Sequence, residues 1–139
     1  VKTSALFVIL ALSSSLSLAQ STIDIAVTGI EDVDGWIQIA VYNSPNDFPD
    51  DEAAIRIERF RVTGTSTECS IEGLEAGDYS FALFHDVNSN GQCDLNFLGI
   101  PTEPYGFSRN VKPVFKAPSF SETKMEISLN TQIEIELIL

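Results

Sequence analysis

The sequence predicts an all-β chain, an antiparallel β-sandwich of about seven strands behind a short leader. Three observations predict it. Apolar side chains alternate with polar ones in several separate runs, Gly, Asn, Asp and Pro punctuate those runs, and no segment keeps a helical period over a useful length. An ordinary globular composition, with 44% hydrophobic and 20% charged residues in 139, supplies enough apolar material for one packed domain and excludes a disordered chain.

In chain order, residues 1–19 form the leader. Lys2 is a short basic start, Ala5 to Leu12 an apolar run, and Ser17-Leu18-Ala19 sets small residues before a cut ahead of Gln20. This is the pattern of a secretory signal peptide. The alternative, a retained anchor, would need about 20 apolar residues, and the serine-flanked stretch from Thr3 to Leu18 is short for that. The protein is therefore expected to be secreted or periplasmic, with a single domain over residues 20–139 and no membrane insertion after cleavage.

Within the domain, Ile23, Ile25 and Val27 alternate as a strand, and Glu31 to Gly35 supplies a turn. Ile37, Ile39 and Val41 repeat the alternation, and Asn43 to Asp51, with its two prolines, is a loop. Residues 53–62 predict a strand in which Ile55 and Ile57 share a face, and Phe60 and Val62 continue that face only after a slip. Ser66 to Ile71 and Tyr79 to Phe84 are further strands around a turn at Gly73 to Asp78. In the second of these, either Tyr79, Phe81 and Leu83 or Ser80, Ala82 and Phe84 face inward, the first set being bulkier. After a long segment from Asp86 to Pro118, Met125, Ile127 and Leu129 alternate, as do Ile133, Ile135 and Leu137. Asn130-Thr131 between them predicts a hairpin.

Charge narrows the partners. Lys and Arg number 8 against 20 Asp and Glu, a formal net charge of −12, and no basic cluster offsets it. Nucleic acid and anionic membrane surfaces are poor partners for such a chain, and cations are better ones. The two cysteines, Cys69 and Cys93, are compatible with one disulfide in an exported protein; the alternative is two buried thiols.

The most informative run is His85-Asp86-Val87-Asn88-Ser89-Asn90-Gly91-Gln92-Cys93-Asp94. Oxygen-bearing side chains stand at relative positions 1, 3, 5 and 9 with Gly at 6, the spacing of a calcium loop. Asp86, Asn88, Asn90, the Gln92 carbonyl and Asp94 are candidate Ca²⁺ ligands. Position 12 is Phe97 rather than a bidentate Glu, so Glu103 or Asn96 is expected to complete the sphere, with weak affinity. The competing reading is a plain turn in which Asx side chains bond their own backbone.

His85 beside Asp86 invites a catalytic reading, yet adjacent strand residues point to opposite faces and no nucleophile motif accompanies them. A structural hydrogen-bonding role is preferred for His85. Phe107 is expected to cap the sandwich core, while Tyr105 either caps it too or forms a recognition surface beside the loop. Asp47, Asp50, Asp51 and Glu52 form a solvated acidic loop or a second weak cation site.

These residues also resemble a family. Gly77 and Tyr79, then His85 to Asp94, then Gly99-Ile100-Pro101-Thr102-Glu103-Pro104-Tyr105-Gly106-Phe107-Ser108 are similar in order to the signature of the bacterial exported proteins grouped as domain-of-unknown-function family 2141. The resemblance implies an exported sandwich and no particular activity. Leu74, Gly77 and Tyr79 are also similar to the strand start of transthyretin-like and other Ig-like sandwich modules, which supports the topology by analogy.

The leading expectation is a secreted, non-enzymatic sandwich with a Ca²⁺-stabilised loop that binds a cell-surface or extracellular partner, a protein or a glycan. A metal-dependent hydrolase and a structural accessory protein of the envelope are the alternatives.

Overall fold

A computed structural model describes residues 21–46 and 48–139; the leader and Asp47 lie outside the described residues. Two sheets form the sandwich. In the first, β1 (Ser21–Thr28) lies between β4 (Thr67–Leu74) and β8 (Thr131–Glu136). In the second, β3 (Arg56–Arg61), β2 (Trp36–Tyr42), β5 (Gly77–Asp86) and β6 (Tyr105–Phe107) lie side by side, with β7 (Met125–Ile127) paired to the start of β5. A single helical turn, α1 (Phe120–Thr123), precedes β7.

The alternation read from the sequence decides what lies between the sheets. Ile23, Ile25 and Val27 on β1, Ile37, Ile39 and Val41 on β2, and Phe81 on β5 are fully buried in one cluster with Ile71, Ile127 and Ile135. Each such side chain contributes about 1.5–3 kcal/mol on leaving water. Tyr79 and Leu83 join this cluster, so the bulkier set of β5 faces the core.

The opposite face of β2 and β5 is covered as well. Ala40, Tyr42 and Phe120 form a second cluster, to which Phe48, Ala53, Ala54 and Ala82 add. Phe48 meets Tyr42 edge-on with 4.8 Å between centroids and Phe120 at 6.1 Å. The loop after β2 and the α1 turn therefore act as a lid over the Tyr42 end of that face.

The expected sandwich stands, and the structure alters or refines four details within it. β8 runs parallel to β1, with Ile25 opposite Ile133, so the sandwich is not wholly antiparallel. Asn130-Thr131 makes no hairpin, because β7 pairs with β5 while β8 pairs with β1, and the chain crosses between sheets at Asn130 (φ 48°). Leu129, on that crossing, is exposed. On β3, Val62 and Phe60 pack on the core while Ile55 and Ile57 are exposed, so the sequence alternation at 55–57 marked the outer face. An eighth strand, β6, arises inside the long segment that followed β5.

Candidate functional site

The loop from Asp86 to Asp94 leaves the C-terminal end of β5 and is ordered by its own side chains. Asp86, fully buried, accepts hydrogen bonds from the Asn90 N–H at 3.0 Å on Oδ1 and the Gly91 N–H at 2.9 Å on Oδ2. Asn88 Oδ1 accepts from Asn90 N–H at 3.0 Å, and Asn90 Oδ1 from Gln92 N–H at 2.8 Å. Each is an Asx turn, in which a short side chain substitutes for a backbone acceptor. Gly91 takes φ 80°, the left-handed conformation that glycine adopts without steric cost.

Asp94 closes the ring. Its carboxylate receives the Asn88 Nδ2–H at 2.6 Å and the Asn90 Nδ2–H at 3.0 Å. Glu103 comes back to the loop but bonds to backbone. Its Oε1 accepts from Val87 N–H at 3.0 Å and its Oε2 from Asp94 N–H at 3.1 Å, so a nearly buried carboxylate ties the two ends of the loop together. Gln92 places no side-chain oxygen in this network, and its carbonyl takes no hydrogen bond from the described residues. Asn96 is occupied in a separate turn, accepting from Leu98 and Ile100 N–H groups. Asp86, Asn88, Asn90 and Asp94 are thus brought together, Glu103 stands at the base of the loop, and Asn96 lies apart from it. No group of three or more His, Cys, Asp and Glu able to hold a metal occurs among the described residues, so the amide oxygens are essential to any cation site here.

Arg59 is the partner that the sequence reading missed. Its Nη2 lies 2.5 Å from Asp86 Oδ2, across β2, and its guanidinium stacks 5.3 Å from the Trp36 ring. The register explains the reach: Trp36 lies opposite Asp86 on one side and Arg61 on the other, and Gln38 lies opposite Arg59. A carboxylate with no exposure requires such compensation, because charge taken out of water without a counter-ion is costly. The alternation of Arg59 and Arg61 along an edge strand, next to a lone Trp on the preceding one, was the available signal.

His85 and Asp86 do diverge. His85 points to the core side, where its Nε2 donates to the Asp34 carbonyl at 2.6 Å, and its Nδ1 has no partner among the described residues. Gly35 lets the turn before β2 come this close, since a Cβ there would stand 2.2 Å from the Asp86 carbonyl oxygen. Ser108 is also structural: its Oγ donates to the Thr123 carbonyl at 2.7 Å and accepts from Phe81 N–H at 3.0 Å. Asp50 caps a short 3-10 turn (Asp51–Ala53) by accepting from Glu52 N–H at 3.0 Å.

The cysteines are unpaired. Cys69 lies in the core between the sheets, whereas Cys93 lines a cleft with Ala40 and Ala82 on the outer face of the five-stranded sheet. That sheet separates the two sulfurs, which corrects the expected disulfide. Burial, then the charge of Glu68, pushes the Cys69 thiol up to about 12; burial, then Glu103, Asp51 and Asp94, pushes Cys93 up to about 11. Both are therefore held as neutral thiols at neutral pH. Phe107 is corrected too: it packs on the outer face, 6.3 Å from Phe48 and 6.0 Å from Tyr105, rather than capping the inter-sheet core.

A two-sheet β-sandwich with an Asx-Gly loop closing the end of one central strand is the class of protein that these elements define. Within that class the chain belongs to the family described as "Uncharacterized protein conserved in bacteria (DUF2141)", which matches residues 25–135 and so spans both sheets and the loop. No curated protein and no solved structure matches the chain, so the transthyretin-like and Ig-like analogy gains nothing from them.

Proposed function

We propose that the protein is exported to the periplasm or cell exterior, where it acts as a non-enzymatic binding module whose Asp86–Asp94 loop is stabilised by Ca²⁺ and recognises a protein or glycan. The observation that carries this reading is the convergence of the Asp86, Asn88, Asn90 and Asp94 side chains through Asx turns around Gly91. In a cation-bound state the Asn88 and Asn90 amides would turn their oxygens to the ion in place of the Nδ2–H groups now given to Asp94. The Gln92 carbonyl would add a backbone ligand, and Asp94 would bind directly or through water. Glu103 would hold the loop ends rather than ligate. Arg59 already neutralises part of Asp86, so the site carries little net negative charge and suits the weak affinities of extracellular modules, ~10⁻⁴ to 10⁻³ M.

Beside the loop, Phe97 is 96% and Leu98 67% exposed. Two large apolar side chains at one protruding tip form a contact surface for a partner. The hydrolase alternative has no imidazole base at the loop, since His85, the chain's single imidazole, turns into the core.

A thermal melt with and without calcium tests the ion. At ~10 mM Ca²⁺ the expected stabilisation is about 1.4–2.7 kcal/mol for that affinity range, a shift of a few degrees or more. Asp94→Ala removes the shift. An unchanged melting temperature in calcium would sink the metal reading. For export, N-terminal sequencing of protein recovered outside the cytoplasm should begin at Gln20.

A further inference from the structure

The outer face of the five-stranded sheet carries a cleft of about 520 Å³, away from the inter-sheet core and alongside the loop. Its origin is a register detail. Ala40 and Ala82 lie directly opposite each other, and the next pair on that face is Gln38 with Phe84. Two methyl groups stand where the neighbouring positions hold Tyr42, Phe84 and Phe107, so the floor is low between tall walls. The segment after β5 contributes Leu95 and Ile100 to one wall, and Val114 and Phe115 supply another. These four side chains are 57%, 52%, 80% and 100% exposed, an unusual cost for a small acidic domain with nothing bound over them.

Gln38 gives the floor one polar group. It is only 7% exposed and lines the cleft, and its amide makes no hydrogen bond with another described residue. The amide is not among the fully buried unpartnered groups, so it meets the water of the cleft, and a ligand group placed there can take the place of that water. The lining holds one carboxylate, Asp51, and one cation, Lys116, which offset each other. The chain as a whole carries a net charge of −12, which opposes any anion approaching the cleft. An anionic head is therefore disfavoured at the floor, while an uncharged one meets no opposition.

We propose that this cleft binds a neutral amphiphile, a molecule with an apolar body that covers Ile100 and Phe115 and a single amide or hydroxyl group that pairs with Gln38. Its volume lies within the ~300–1,000 Å³ range of small-molecule sites, and its lining has their composition of apolar walls with few polar groups. The inference does not rest on calcium binding or on recognition of a macromolecule by the loop.

Cys93 supplies the readout, since it lines the cleft while Cys69 is buried in the core. The chain is incubated with iodoacetamide at about pH 9, and Cys93 modification is followed by mass spectrometry with decanamide or decanoate present. Decanamide should slow modification at least about fivefold and raise the melting temperature, and decanoate should need roughly tenfold higher concentration for the same protection. Gln38→Leu should erase that preference. Ala82→Trp, filling the floor, should abolish protection, and Phe115→Asp, at a fully exposed position that leaves folding intact, should weaken it. The proposal is overturned if decanamide leaves the rate unchanged, if decanoate protects equally in the unaltered chain, or if Phe115→Asp has no effect.

Discussion

Asp86 is where the single-residue energetics concentrate. Two backbone N–H groups and one guanidinium satisfy a carboxylate that has no exposure. Removing the cation leaves the charge in place, so Arg59→Met should destabilise by about 3 kcal/mol in urea unfolding, while adding Asp86→Asn to it should recover part of that loss. Gly106 is a second such position. A Cβ there would stand 2.8 Å from Ile135 Cγ2 and 3.1 Å from the Glu136 carbonyl oxygen, so Gly106→Ala should cost about 1–3 kcal/mol by forcing β6 away from β8. At this scale the sequence was legible only where chemistry is local. The Asx-Gly spacing correctly marked a side-chain-ordered loop, because each bond there spans a few residues. Arg59 was invisible because its bond to Asp86 spans 27 residues across a strand whose pairing was unknown. Glu103 was placed at the loop from the sequence, yet its bonds go to Val87 and Asp94 N–H groups rather than toward the ring of Asx side chains.

Among the elements, alternation revealed the strands and which faces were apolar, but not their partners. β1, β2 and β5 were legible because each buries a full apolar face, and the chain places them at the centre of a sheet. Met125 to Ile127 and Thr131 to Glu136 were equally periodic, yet a three-residue link looks the same whether its strands pair or separate into different sheets. β6 was hidden because three residues, one of them glycine, carry no period. On β3, an edge strand, Ile57 marks the exposed face and Phe60 the half-buried core side, so the slip read between them is a change of face. The crossing from β7 to β8 implies that β8 completes the core from the far side of β1. Ile135, fully buried there, should cost about 2–5 kcal/mol when replaced by Ala, whereas Leu129→Ala on the exposed crossing should stay within about 0.5 kcal/mol. Chemical denaturation of the two variants side by side compares the connecting turn with the strand it delivers.

For the whole molecule, the net charge of −12 acts in two ways that a single calcium titration would confuse. Excess carboxylates repel one another in the compact state, and any salt that screens them stabilises the fold without binding anywhere. Part of the excess is also held under tension locally. Burial, then the neighbouring Asp50, raises the Asp51 carboxyl above the usual carboxylate range, although Asp51 is partly open to solvent and the effect is correspondingly small. A carboxyl raised in the folded state favours folding below its unfolded value and loses that contribution as pH rises through the folded one. Asp51→Asn should therefore raise the melting temperature at pH 7 and change nothing at pH 3. An ion held at the loop, as proposed, would act differently, since a bound ion stabilises by mass action on one site. Melting the unaltered chain and Asp94→Ala in NaCl, MgCl₂ and CaCl₂ at equal ionic strength separates the two contributions. Screening should lift both proteins alike in all three salts, and Mg²⁺, which demands tight octahedral geometry, should add little. Calcium alone should add a further shift in the unaltered chain and none in Asp94→Ala; equal shifts for both proteins in CaCl₂ would assign the whole effect to charge repulsion and none to the loop.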